Sequence, residues 1–100
     1  MKPVILLADA VEDLEQARGF YDKREAGVGD YCVTSLLADV SSLSIFHGFH
    51  SQHLGCLRLL ATRFPFGIYY LESAKEIRVI AILDLRRHPS WIRKQIRGRQ

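Results

Sequence analysis

The sequence predicts an α+β domain of order β-α-α-β-β-β. A two-helix hairpin packs on a mostly antiparallel four-stranded sheet, and a short basic helix ends the chain. Three observations point there. Two stretches with helical apolar spacing are separated by one tight glycine-containing turn, Ala26-Gly27-Val28-Gly29-Asp30. Three later runs rich in β-branched and aromatic residues are joined by short turns, as in an antiparallel meander. A short apolar run precedes everything, and a proline opens a last, Arg/Lys-rich stretch.

Val4 to Leu7 is apolar and partly β-branched, which predicts a buried first strand. Asp9 with Glu12 three residues later has the spacing of a capping box, so Asp9 is read as the cap of a first helix from about Ala10 to Glu25. Val11, Leu14, Ala17 and Tyr21 form its apolar stripe, and Gly27 stops it. The second helix carries Val28, Cys32, Leu36, Val40, Leu43 and Phe46 at steps of three or four and contains no Lys or Arg. His47 to Gly55 holds two glycines and three histidines and is read as a loop.

Cys56 to Thr62 reads as a strand, and Arg63-Phe64-Pro65 as a break, because proline donates no ladder hydrogen bond. Phe66 to Glu72 is the next strand, with Tyr69 and Tyr70 on alternate faces, one in the core and one exposed. Ser73-Ala74-Lys75-Glu76 is a hairpin turn. Ile77 to Asp84 is nearly continuous in apolar residues and should be central. Pro89 opens the final helix, Ser90 to Arg97, with Trp91 as its anchor.

One hundred residues, 48% of them hydrophobic, suit a single domain over residues 1–100 with a real core. No apolar run approaches the length of a membrane span, and the first residues lack the long apolar region of a signal peptide, so a cytoplasmic protein without membrane contact is expected. Cys32 and Cys56 are read as reduced, buried thiols.

Charge is unevenly spread. Residues 1–50 carry four Lys/Arg against eight Asp/Glu, whereas residues 51–100 carry ten against three. From Leu85 to Gln100 there are six Lys/Arg and no acid. A polyanionic or acidic partner for the C-terminal part follows from that asymmetry.

His47, His50 and His53 are spaced H-x-x-H-x-x-H, but the segment has no Cys or carboxylate to complete a metal shell, so no metal is expected. No phosphate loop, Ser-His-Asp set or HExxH pattern is present, and no cofactor is expected. The candidate target-binding residues are Arg58, Arg63, Arg78, Arg86, Arg87, Trp91, Arg93, Lys94 and Arg97. Arginine grips phosphate or carboxylate with two parallel donors, which is why a cluster of them suggests an anionic partner.

Several segments together resemble the RelE/ParE superfamily of toxins from type II toxin–antitoxin (plasmid stabilisation) modules. They are Glu12-Asp13-Leu14-Glu15-Gln16-Ala17-Arg18 with Tyr21, and Gly27-Val28-Gly29-Asp30. The run Arg63 to Tyr70 is the most specific, followed by Ile77 to Leu83 and Arg86-Arg87-His88-Pro89 with Trp91. The likeness spans about Val4 to Arg93. It implies a toxin held in a hetero-oligomer by a cognate antitoxin, whose extended segment wraps it and folds on binding.

Phe64-Pro65-Phe66 with Tyr69-Tyr70 resembles the ParE branch, which implies inhibition of DNA gyrase by binding, with no catalysis of its own and growth arrest as the outcome. The alternative is a RelE-like endoribonuclease acting on mRNA at the ribosome, with Arg58, Arg86, Arg87 and His88 as catalytic candidates. That branch commonly uses a late Tyr or His, or a Lys-rich second helix. Here no Tyr follows position 70, the second helix is free of Lys and Arg, and Asp84 stands where many relatives place a His. A further alternative is a relative that keeps antitoxin binding and has lost its target.

Overall fold

The computed structural model describes all residues 1–100. The elements run β1 (Val4–Leu6), α1 (Ala8–Arg24), α2 (Val28–Ser42), β2 (Ser51–His53), β3 (Cys56–Leu60), β4 (Phe66–Glu72), β5 (Ile77–Asp84) and α3 (Pro89–Arg97). The sheet order is β1-β5-β4-β3-β2. β1 pairs parallel to β5, to which the chain returns only after α1, α2 and the antiparallel run β2–β4, and every other pair is antiparallel. The α+β class and the central place of the Ile77–Asp84 strand agree with the sequence.

The sheet has five strands where the sequence suggested four. Ser51–His53, read as loop, pairs with β3 across a two-residue turn. Leu54 (φ 56°) and Gly55 (φ 82°) both adopt positive φ there, the backbone of the tight hairpin turn whose twist matches the strands. Leucine at the first turn position is an uncommon choice, which hid the hairpin.

The first helix starts earlier than Asp9 implied. Leu7 occupies the cap position, its carbonyl accepts from Ala10 N (2.9 Å) and Val11 N (3.1 Å), and no side chain caps the end. Asp9 therefore sits inside the first turn, where its charge still favours the helix dipole. The turn into α2 depends on Gly27, whose φ of 92° is open to glycine at no steric cost. Asp22 then accepts the Gly29 N–H at 2.8 Å, and Arg18 pairs with Asp30, so both ends of the hairpin turn are tied.

Both faces of the sheet are covered. Leu14, Ala17, Cys32, Leu36, Val40 and Leu43 of the hairpin region pack on Ile68, Tyr70, Ile77, Val79 and Ile82. Trp91, Ile92 and Ile96 of α3 pack on Tyr69, Ile80, Ala81 and Leu83 of the opposite face. Tyr69 and Tyr70 do alternate faces, but neither is exposed, because α3 covers the side that the sequence left open to water. Phe46, assigned to the stripe of the second helix, lies beyond its end and is 60% exposed. β3 ends at Leu60, two residues short of Thr62.

β5 carries a bulge. Tyr69 pairs with Ala81 and Tyr70 with Val79, leaving Ile80 unpaired with β4. The extra residue shifts the side-chain alternation by one. Ile77 and Val79 face the helical hairpin before it, Ile82 after it, and Ile80 and Ala81 both face α3. Cys32 and Cys56 are free and buried, and burial pushes the Cys32 thiol up to about 11.

Candidate functional site

The α3 face of the sheet forms an open groove of about 490 Å³. Tyr69 and Arg58 form its floor, Leu85, Arg87 and Pro89 one wall, Ile92 and Arg93 of α3 the roof, and Gln52, His53 and Leu54 the far end. Three of the arginines singled out in the sequence, Arg58, Arg87 and Arg93, thus meet around one cavity.

Their placement follows from the strand register. Arg58 lies opposite Tyr69 on β4 and opposite Ser51 on β2, so its side chain projects from the face that carries α3. Gly67 makes room for it. A Cβ at Gly67 would stand 3.1 Å from Arg58 Cδ and 3.0 Å from Leu85 Cδ2. Arg87 is fixed by Trp91, with its guanidinium carbon 3.8 Å from the ring centroid. That cation–π contact leaves the guanidinium edges available to an anion. Trp91 is half-buried and packs against the α3-side core, as its anchoring role requires.

The charged groups fall into two sets. Arg86 is taken by Asp84 (2.7 Å) and by the Tyr21 hydroxyl (3.2 Å), and Arg78 by Glu76 (3.7 Å). The Arg86 hydrogen bonds hold the Asp84 carboxyl below its usual range and push the Arg86 guanidinium up. Arg58, Arg63, Arg87, Arg93, Lys94 and Arg97 enter no salt bridge. Of these, Arg63 lies apart, 6.0 Å from the Tyr31 ring, and Lys94 and Arg97 are exposed on α3. The groove therefore unites Arg58, Arg87 and Arg93, and excludes Arg63, Arg78 and Arg86.

His88 sits at the N-cap of α3. Its Nδ1 accepts the Ser90 N–H at 3.1 Å and lies 2.8 Å from Ser90 Oγ. With that nitrogen accepting a backbone N–H, the ring is used to start a helix. The other three histidines diverge. His47 Nδ1 lies 3.0 Å from Glu72 Oε2, His50 Nδ1 lies 2.5 Å from the Tyr70 hydroxyl, and His53 lines the groove. No three His, Cys, Asp or Glu side chains converge on a point.

His53 is the groove residue that sequence reasoning passed over as a loop histidine. Burial first, then the positive charge of Arg58, lowers its pKa and so favours the neutral imidazole. The signal was present in Leu54-Gly55: a hairpin there pairs His53 with Cys56 and sets Arg58 opposite Ser51, two residues from His53 on the same strand.

A second cleft, of about 230 Å³, runs between α1 and α3 and shares Arg87 and Trp91 with the first. Its remaining wall includes Phe20, Phe66 and Asp84. No helix of the molecule is long and apolar enough to cross a membrane.

No family model matches the chain, and a search of curated proteins finds no significant relative. Among solved structures, a chain from the structure described as the chromosomal ParDE TA system from P. aeruginosa superposes with a TM-score of 0.73. It is 22% identical, and the match covers 82% of this chain and 94% of that one. The two chains share a fold, the one implied by the resemblance of the sequence.

Proposed function

We propose that this chain is the toxin of a type II toxin–antitoxin module, ParE-like in action, which docks on DNA gyrase and is neutralised by a cognate antitoxin. The observation that carries this reading is the groove in which Arg58, Arg87 and Arg93 meet, none of them in a salt bridge. Free guanidinium groups around an open groove suit an acidic surface on a partner protein. The fold shared with a chain of a ParDE system supports the same assignment. So does α2, whose lack of Lys and Arg removes the basic helix that RNA cleavage in the resembling family often uses. The setting is the cytoplasm, and the resting form is a toxin–antitoxin hetero-oligomer.

One observation favours a second reading, an mRNA endoribonuclease. The imidazole of His53, whose pKa burial and Arg58 lower, shares the groove with Arg58. In that chemistry His53 accepts the proton of a ribose 2′-hydroxyl while Arg58 and Arg87 hold the scissile phosphate.

Expression of the chain without antitoxin separates the readings when DNA damage response and protein synthesis are followed in one culture. Early DNA damage with continuing translation is the expected result. Early translation arrest with intact DNA would replace gyrase by mRNA as the target. Unimpaired growth with folded protein would mean a binding module that has lost its target.

A further inference from the structure

The groove leaves part of the basic surface unexplained. α3 turns Ile92 and Ile96 to the sheet and Arg93, Lys94 and Arg97 to solvent. The acids nearest this helix are already engaged. Asp9 and Asp13 both lie against Arg99, and Asp84 is taken by Arg86. Arg93, Lys94 and Arg97 therefore form a cationic face with no acid interleaved. Arg93 and Arg97 stand one turn apart, where like charges repel, so helix stability alone would not select them.

We propose that the outer face of α3, formed by Arg93, Lys94 and Arg97, is a contact surface for the phosphate backbone of duplex DNA. The face is a convex helix. It suits a duplex groove better than an acidic peptide, which needs a concave seat. Arg93 and Arg97 lie about 6 Å apart along the helix axis, close enough for both to reach phosphates of one DNA strand.

Double-stranded nucleic acid is favoured over single-stranded because this face offers no ring for base stacking. The one aromatic residue of α3, Trp91, is half-buried against the sheet and covered by Arg87. DNA is favoured over double-stranded RNA because the major groove of B-DNA admits a helix, while that of A-form RNA is too narrow. The surface acts through charge and reads no sequence. It is a separate property from gyrase docking in the groove, although Arg93 stands at the lip of both.

Fluorescence anisotropy with the purified full chain and a labelled random-sequence DNA duplex tests the proposal, with salt raised from about 50 to about 200 mM. The logarithm of affinity should fall with the logarithm of salt, with a slope of about −3 for three phosphate contacts. The combined Arg93→Gln, Lys94→Gln, Arg97→Gln variant should bind about tenfold or more weakly at the lowest salt and show a flatter slope. The pair Arg93→Lys, Arg97→Lys should retain binding, and Arg24→Gln, at the far end of α1, should change nothing.

Circular dichroism confirms that each variant is folded. Absence of salt-dependent duplex binding by the parent chain would overturn the proposal. So would a triple variant that binds as the parent does, or single-stranded DNA or double-stranded RNA bound as tightly as duplex DNA. The assay contains no gyrase, so its failure is distinct from failure of the gyrase reading.

Discussion

Asp13 and Arg99, 86 positions apart, form a two-pronged ion pair at the outer edge of β5. Arg99 Nη1 donates to Asp13 Oδ2 at 2.5 Å and Nη2 to Oδ1 at 2.9 Å. The pair also takes over the backbone groups that β1 leaves free. β1's ladder ends where Leu7 N donates to Val79 O (3.0 Å); beyond it Asp13 accepts the Ile82 N–H (2.9 Å) and Arg99 donates to Ile80 O (3.1 Å). Two side chains so complete a strand edge.

Replacing Arg99 by Met leaves the carboxylate of Asp13, which is 7% exposed, without its counter-charge. The expected cost is about 3–5 kcal/mol, read from urea unfolding. Loss of hydrogen-exchange protection should concentrate at the Ile82 N–H, which donates to Asp13, and in α3. A uniform loss across the sheet would contradict this account of the pair.

The two glycines within the helices, exposed Gly19 of α1 and buried Gly29 of α2, should respond in opposite directions. Gly19 has open space where a Cβ would stand, so Gly19→Ala should stabilise by about 0.5–1 kcal/mol. A Cβ at Gly29 would overlap the Arg18 carbonyl oxygen and approach the Asp22 carboxyl to 2.6 Å. Gly29→Ala should therefore destabilise by about 1–3 kcal/mol by forcing the hairpin apart. Thermal unfolding of the two variants decides it.

His88→Ala should weaken α3 by about 1 kcal/mol, since it removes the acceptor of the Ser90 N–H. His88→Asn should restore most of that loss. If gyrase docking is the activity, neither variant abolishes toxicity at a temperature where α3 stays folded. Complete loss of toxicity in the Asn variant would return His88 to a chemical role.

Acid should destabilise the protein partly through Asp84. Hydrogen bonds from Arg86 keep its carboxyl below the usual carboxylate range. The folded state then binds fewer protons than the unfolded state through that range. Stability is present above the unfolded pKa and is lost as pH falls through the lower folded value. Unfolding free energy measured against pH should fall more steeply for the parent chain than for Asp84→Asn.

In the groove, burial and then Arg58 lower the His53 pKa. Arg58→Gln removes the second cause, so the His53 ring should titrate at higher pH in the variant, by proton NMR. An unchanged titration would place the Arg58 charge too far away to matter.

Much of the fold was legible in the chain. The periodicity of Leu14 and Ala17 in α1, and of Cys32, Leu36 and Val40 in α2, reported the buried faces, and the apolar run Ile77–Leu83 reported a strand covered on both sides. The misses have local causes. β2 is three residues of polar sequence whose only marker is a Leu-Gly turn, so propensity gave it no weight. The sequence reading leaves one of Tyr69 and Tyr70 exposed, whereas both are buried, because α3 lies across the second face through few, distant apolar residues.

The site was legible by residue type but not by grouping. Arg58 and Arg87 emerged from charge alone, whereas the engagement of Arg78 and Arg86 depends on the nearby acids Glu76 and Asp84 folding back on them. The closeness of His53 to Arg58 required the unforeseen hairpin.

The most direct test of the central claim is DNA supercoiling by purified gyrase in the presence of the purified chain. The account predicts loss of supercoiling with accumulation of cleaved DNA, abolished by added antitoxin and by Arg58→Gln combined with Arg87→Gln and Arg93→Gln. Full supercoiling at a concentration of chain that stops translation in a parallel extract would contradict it.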